Sequence, residues 1–256
     1  MTQSYHLFLS LLFLHPYIKQ NIVRFEMKKY ALIVAGGKGL RMNSDIPKQF
    51  LLINNTPVLM RTISRFHSYD PSIRILVVLP KDQIEYWRQL CQKHEFKIEH
   101  LVIEGGAQRF NSVAKGLEHV EKDSIVAIHD GVRPFVNDSV IRDAFHTAQI
   151  KGSAIPAICL TDSARKIHSD GTSESANRSE YRLVQTPQTF RSELIKEAFN
   201  KALASDQSIQ SSFTDDASVY EFFGGEVSLI DGNRENIKIT SPEDLDIASV
   251  FAKKYN

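Results

Sequence analysis

YALIVAGGKGLRM, residues 30–42, opens as an apolar run and then breaks into three glycines, a lysine and an arginine. Ala31, Leu32, Ile33 and Val34 carry no polar side chain, which suits a strand buried on both faces. Gly36, Gly37 and Gly39 allow the following backbone to approach a ligand closely. Lys38 and Arg41 in the same turn point to an anionic ligand. Two common glycine-loop templates fail. A Walker A loop needs Ser or Thr after its lysine to reach the metal, and Lys38 is followed by Gly39. A dinucleotide fingerprint counted from Gly37 puts Met42 where its third glycine belongs. What remains is G-G-x-G-x-R-M followed by Pro47-Lys48-Gln49-Phe50.

The 256 residues carry 31 basic and 30 acidic side chains, a formal charge of +1. That balance, with no long basic run, argues against a nucleic-acid partner held by counterion release, so an anion site has to be local. Cys91 and Cys159 stand far apart without a C-x-x-C pair and read as reduced thiols of a cytoplasmic protein. The apolar LFLSLLFL at residues 7–14 resembles the middle of a signal peptide. No Lys or Arg precedes it, no small-x-small site follows it, and it is too short to span a bilayer. Residues 1–26 are therefore expected to be an extension, disordered or from a mis-assigned start, ahead of one domain at 27–256 with no membrane partner.

Apolar strands alternate with amphipathic segments from there on. Strands are expected at residues 73–79, 101–103, 124–128 and 153–158, with helices near 82–94, 108–119 and 138–150. This rhythm predicts a mostly parallel sheet covered by helices, whose ligands bind beyond the carboxyl ends of the strands. VAGGKGLRM, EGGAQRFNS (104–112) and HDGVRPF (129–135) each follow a strand, so the three should converge at one edge. The polar, turn-rich residues 161–182 are too short for another strand-helix-strand unit and read as a protruding arm turning at Ser169-Asp170-Gly171. LVQTPQTF, a helix at 192–203, FTDDAS, a strand at 227–230 and NIKITSPEDLDIA complete the chain, with Ser241 as N-cap and Pro242 in the first turn of a last helix.

A glycine loop offers N–H groups to phosphate oxygens while Arg41 and Lys48 neutralise charge that grows in a transition state. Asp130 could meet magnesium or a substrate hydroxyl, or simply cap a turn. Thr214, Asp215 and Asp216 could be no more than a helix N-cap, with Thr214 capping. Lys238, in a strand-like NIKIT, carries no meaning by itself.

Taken in order, GGKGLRM…PKQF, GGAQRFNSV, HDGVRPF, LVQTPQTF, FTDDAS and NIKITSPEDLDIA resemble the 2-C-methyl-D-erythritol 4-phosphate cytidylyltransferases of non-mevalonate isoprenoid biosynthesis, from about Tyr30 to Ala252. The resemblance implies a Rossmann-like α/β fold: a mostly parallel sheet with helices on both faces and a protruding β-arm. It implies CTP and a sugar-alcohol phosphate as substrates and Mg2+ as cofactor. By the same resemblance Arg41 and Lys48 stabilise the transition state, and Arg178 and Lys238 hold the attacking phosphate. Ala35, Gly36, Gly37, Gly39, Gly106, Ser112 and Asp130 fall in the nucleotide pocket. Asp130, Arg133, Ser163, Arg178, Thr186 and Thr214 match further substrate and nucleotide contacts, and Asp130 is the candidate metal ligand. Ser163 stands where the family usually has threonine, and Gly131 where it has alanine. The arm at 161–182 is implied to embrace a second subunit, giving a homodimer with Arg178 serving the partner's site. Ribitol-5-phosphate cytidylyltransferases share the loop and chemistry and differ in the acceptor contacts. A nucleotide-binding regulator without turnover would be expected to have lost Arg41, Lys48 or Lys238, and all three are present.

Overall fold

The computed structural model describes residues 27–37 and 46–254; the expectations for residues 1–26, Lys38, Gly39 and Arg41 lie outside them. β1 (Lys28–Val34) leads through a 3-10 turn at Lys48–Phe50 and a short ladder, β2 (Leu52–Ile53) with β3 (Thr56–Pro57), into α1 (Val58–Tyr69). Then β4 (Arg74–Leu79), α2 (Ile84–Lys93), β5 (Leu101–Glu104), α3 (Arg109–Glu118), β6 (Ser124–Asp130) and α4 (Asp138–Lys151) alternate as the sequence rhythm predicts. β7 (Ser153–Cys159) is followed by a hairpin of β8 (Ala164–Ile167) and β9 (Ser173–Ala176), then β10 (Arg182–Val184) and β11 (Gln188–Arg191). Helices α5 (Ser192–Leu203), α6 (Gln207–Ser212) and α7 (Asp216–Phe222), an edge strand β12 (Leu229–Asp231) and α8 (Pro242–Ala252) close the chain.

The strands lie in the order β10-β7-β11-β6-β1-β4-β5, with β12 added on β7. β1 is central and parallel to both β4 and β6. Its alternate side chains enter two cores: Tyr30, Leu32 and Val34 pack with α3, α5 and α7, and Ala31 and Ile33 with α1, α2 and α4. Both faces being covered is why the strand reads as an unbroken apolar run. Full burial of each large aliphatic side chain there contributes about 1.5 to 3 kcal/mol. Gly116 lets α3 come down on β1, since a Cβ at that position would lie 2.3 Å from a methyl of Leu32.

The parallel rhythm ends after β7. No crossover helix follows it, so the chain returns antiparallel, β10 along β7 and β11 between β7 and β6. The last predicted strand is shifted to Leu229–Asp231. NIKIT joins no sheet; the amide of Ile239 donates to the Val132 carbonyl at 3.0 Å instead. Ile239 is buried in a third core with Val132, Phe135 and Ala248, which fixes the backbone beside Lys238. Ser241 and Asp244 form a reciprocal capping box on α8 with Pro242 in the first turn, as the sequence suggests.

Candidate active site

The ladder continues past the strand ends and sets the loops side by side. The amides of Ala35, Gly105 and Gly131 donate to the carbonyls of Val78, Leu79 and Val34 at 3.0, 2.8 and 2.9 Å. Gly131 allows no side chain: a Cβ there would sit 2.6 Å from that of Ala35, so the exchange with alanine is not neutral in this chain. The cleft above these loops is lined by Ala35, Gly36 and Gly37 on one side and by Gly106 and Ser112 on another, with Lys48, Arg109, Asp130 and Lys238 around it. Ser112 is buried and shapes its loop, accepting from the Gly106 amide and donating to the Gln108 carbonyl, both at 3.0 Å. α3 begins there with no side-chain cap on its first amides, an arrangement that favours an anion.

Lys48 stands on the 3-10 turn and its ammonium donates to the Ile239 carbonyl at 3.2 Å, which brings the PKQF turn to the NIKIT segment. Gln49, fully buried, donates through its amide nitrogen to the Ala35 carbonyl at 2.8 Å and to the Gln83 amide oxygen at 2.6 Å. The glycine loop and the lysine turn are thereby tied together.

Asp130 ends β6 and its carboxylate is nearly buried. Lys238 Nζ lies 3.1 Å and Arg133 Nε 3.2 Å from its Oδ2, while Arg109 Nε lies 3.6 Å from its Oδ1. Burial opposes ionisation of this acid, but Arg109, Lys238 and Arg133 together outweigh it and hold the carboxyl far below its usual range. Arg133 is aimed by a second bond, 2.8 Å to the Asn236 carbonyl. Thr186 is buried too: its hydroxyl accepts from the Asp130 amide at 3.1 Å and donates to His129 Nδ1 at 3.0 Å. His129 Nε2 then donates to the Arg133 carbonyl at 2.9 Å. Burial pushes the imidazole down to about 4, so it stays neutral and holds the turn as a two-ended strut.

The remaining predicted residues lie elsewhere. Thr214 is exposed and does not cap α7; Asp215 does, in a box with Ser218, because the backbone at Asp215 takes the extended N-cap conformation and its carboxylate accepts from the Ser218 amide at 2.9 Å. Asp216 is buried and paired through both oxygens with Arg109 at 2.9 and 2.7 Å. Ser163 and Arg178 are exposed on the arm, where Arg178 Nη1 donates to the Thr161 carbonyl at 2.5 Å. Neither lines the cleft of its own chain. Among the described residues no three His, Cys, Asp or Glu side chains come together as metal ligands. Asp130, already shared by three cations, is a poor ligand for a resident divalent ion, and the described residues do not fit a protein-held magnesium.

Lys48, Arg109, Arg133 and Lys238 outnumber Asp130 and Asp216 here, and with the open backbone amides they make a site for a polyphosphate rather than for a neutral ligand. The sequence profile of IspD, 2-C-methyl-D-erythritol 4-phosphate cytidylyltransferase, matches residues 30–254, from β1 to α8. This chain belongs to that family. A relative of that name from Bacteroides fragilis is 50% identical over 225 residues, covering 88% of this chain and 100% of its own. Another from Syntrophus aciditrophicus is 40% identical over 230 residues, 89% of this chain and 97% of its own. Among solved structures, 4-diphosphocytidyl-2C-methyl-D-erythritol synthase from Anaerococcus prevotii aligns with TM-score 0.76 and 28% identity over 89% of this chain and 96% of its own. The Thermus thermophilus 2-C-methyl-D-erythritol 4-phosphate cytidylyltransferase aligns with TM-score 0.72 and 29% identity over 89% and 100%.

Within this cytidylyltransferase fold, sequence reasoning overlooked Arg109, Asp216 and Gln49. Arg109 was legible as a third basic residue next to a glycine pair at a helix start. Asp216 was read for its effect on the helix dipole, and only its pairing with Arg109, distant in sequence, shows that it faces a guanidinium.

Proposed function

We infer that the chain transfers CMP from CTP to 2-C-methyl-D-erythritol 4-phosphate, giving 4-diphosphocytidyl-2-C-methyl-D-erythritol and pyrophosphate in the non-mevalonate route to isoprenoids. A phosphate oxygen of the acceptor attacks the α-phosphorus of CTP, and the bond to the β-phosphate oxygen breaks as pyrophosphate departs. The observation that carries the reading is the cation cluster on Asp130 at the strand ends, in a chain matched along 30–254 by this family. No covalent intermediate is needed, because the acceptor brings its own nucleophile; positioning and charge stabilisation carry the rate.

Ala35, Gly36, Gly37, Gly39, Gly106 and Ser112 cradle the nucleotide. Arg41 and Lys48 meet the charge that develops on the transferring phosphoryl group. Lys238, and Arg178 of the partner subunit, hold the acceptor phosphate in line. Asp130 and Arg133 contact the substrates directly, Thr186 acts by holding Asp130, and Thr214 and Ser163 border the acceptor. Magnesium enters on the triphosphate as part of the substrate. The enzyme works as a homodimer in the cytoplasm, with the 161–182 arm crossing between subunits. Exposed apolar side chains on and beside that arm, Ile167, Tyr181, Leu183 and Val184, support a surface that a second copy covers. Among the described residues no helix is long and apolar enough to cross a membrane.

The test is to incubate the purified chain with CTP, a magnesium salt and either 2-C-methyl-D-erythritol 4-phosphate or ribitol 5-phosphate, following pyrophosphate and the product mass. Turnover with the first acceptor is expected. Turnover with ribitol 5-phosphate alone, or with neither, contradicts the assignment.

A further inference from the structure

We propose that Arg109 is a positioning residue for the acceptor side of the reaction, acting through Asp130 and Asp216; the proposal rests on the cytidylyltransferase reading above. Arg109 is the first residue of α3, so its backbone belongs to the glycine loop of the nucleotide pocket. Its side chain borders the cleft and reaches two acids. Both terminal nitrogens are taken by Asp216, which is 1% exposed, and Nε faces Oδ1 of Asp130. Burial works against a charge on this guanidinium, and the carboxylates of Asp216, Asp130 and Asp215 overcome it.

The two oxygens of Asp130 are thereby set different tasks. Oδ2 is shared by Arg133 and Lys238, while Oδ1 faces Arg109 at a separation too long for a full hydrogen bond. An oxygen kept ionised by a neighbouring cation, yet not bonded to it, is placed to accept a substrate hydroxyl. Arg109 also fixes α7 against α3. Gln188 makes a second fastening, donating to Asp215 Oδ2 and accepting from the Ala217 amide, both at 2.8 Å. α7 thus stays docked when the Arg109 bond is altered, and the role of Arg109 can be separated from folding.

The experiment is steady-state kinetics of wild type, Arg109→Lys and the double variant Arg109→Met/Asp216→Leu, with CTP and acceptor varied separately and thermal unfolding recorded for each. Arg109→Lys retains the charge and loses the fork; kcat/KM for the acceptor is expected to fall about tenfold while the CTP KM moves less than about threefold. The double variant removes both charges of a buried pair, a change that is often neutral for stability, so its Tm is expected within a few degrees of wild type. Its kcat/KM for the acceptor is expected to fall about a hundredfold with the CTP KM again within about threefold. A double variant of preserved Tm with wild-type acceptor kinetics overturns the proposal, because the pair is then only a fastener. Equal rises in both KM values overturn it as well, by placing Arg109 in the nucleotide pocket. If the double variant fails to fold, Arg109→Lys decides by the same split. Failure of the functional reading shows separately, as absence of wild-type turnover with the methylerythritol acceptor; the split is then read with the polyol phosphate that wild type accepts.

Discussion

At the cleft, Asp130 is nearly buried and flanked by Arg109, Arg133 and Lys238, whereas on the arm Arg178 is exposed and its bond goes to a backbone carbonyl of the same arm. The cleft is held from several directions at once. Asn233 joins the Phe135 carbonyl and the Asn137 amide, Gln185 joins Asn233, and Thr186 joins Asp130 to His129. The β8–β9 hairpin is held by its own ladder and by pairs within itself, Arg165 with Ser173 and Lys166 with Glu174, and its side chains are mostly exposed. A charged group needs a rigid, dry frame to stabilise a transition state, and only the cleft has one within a single chain. The arm acquires such a frame only against something else, which is the physical content of the homodimer proposal.

The largest expected effect falls on the cleft. Lys48→Ala and Arg41→Ala should each lower kcat by 10² to 10³, about 3 to 4 kcal/mol, with a much smaller change in CTP affinity. Stopped-time assays of pyrophosphate release against calorimetric CTP binding check this, and near wild-type turnover in either variant breaks the assignment.

Next comes acid. His129 is neutral in the folded chain and pushed down to about 4, whereas unfolded it titrates near its ordinary 6.5. The unfolded chain therefore binds the extra proton first, and stability is fully present above about pH 6.5 and declines as pH falls toward 4. Denaturant unfolding at pH 5 should give a ΔG about 2 kcal/mol below that at pH 8 from this group. His100, also held down by burial, adds in the same direction. A flat profile over that interval would show that His129 is not held neutral.

The contrast between the regions can be sharpened by paired substitutions. Asn233→Ala, which strips the Phe135 carbonyl and Asn137 amide of one partner, should cost about 1 to 3 kcal/mol. Ser175→Ala on the exposed hairpin should stay within about 0.5 kcal/mol. Equal costs would remove the distinction drawn between the regions. The smallest effect is expected from deleting residues 1–26: the family match begins at residue 30, and a chain started at Met27 should match the full chain in kcat and Tm.

The parallel half of the sheet was legible because burial on both faces leaves the middles of β1 (Ala31 to Val34) and β6 (Ile125 to Ile128) as unbroken apolar runs. The antiparallel return was not, since strand direction is set by the missing crossover helix after β7 and by pairing distant in sequence. Lys48 and Arg41 announced themselves by standing near glycines. Lys238 did not; its place depends on Ile239 entering a core and on Asn236 receiving Arg133, neither of which has a local pattern. The capping residue of α7 was misread by one position because Thr214 and Asp215 both have N-cap chemistry, and the backbone at Asp215 decides between them. Asp216 was hidden by the same ambiguity.

The central claim is that a working site joins the cleft of one chain to the arm of another. Arg178→Ala and Lys48→Ala chains, each nearly inactive as a homodimer, are mixed, allowed to exchange subunits, and assayed, with exchange verified by mass spectrometry of differently tagged chains. In a mixed dimer one site carries both defects and the other carries neither. Random pairing makes half the dimers mixed, so activity should recover to about a quarter of wild type. Activity no higher than that of the separate homodimers, with exchange verified, would contradict the claim and return Arg178 to its own subunit or remove it from the site.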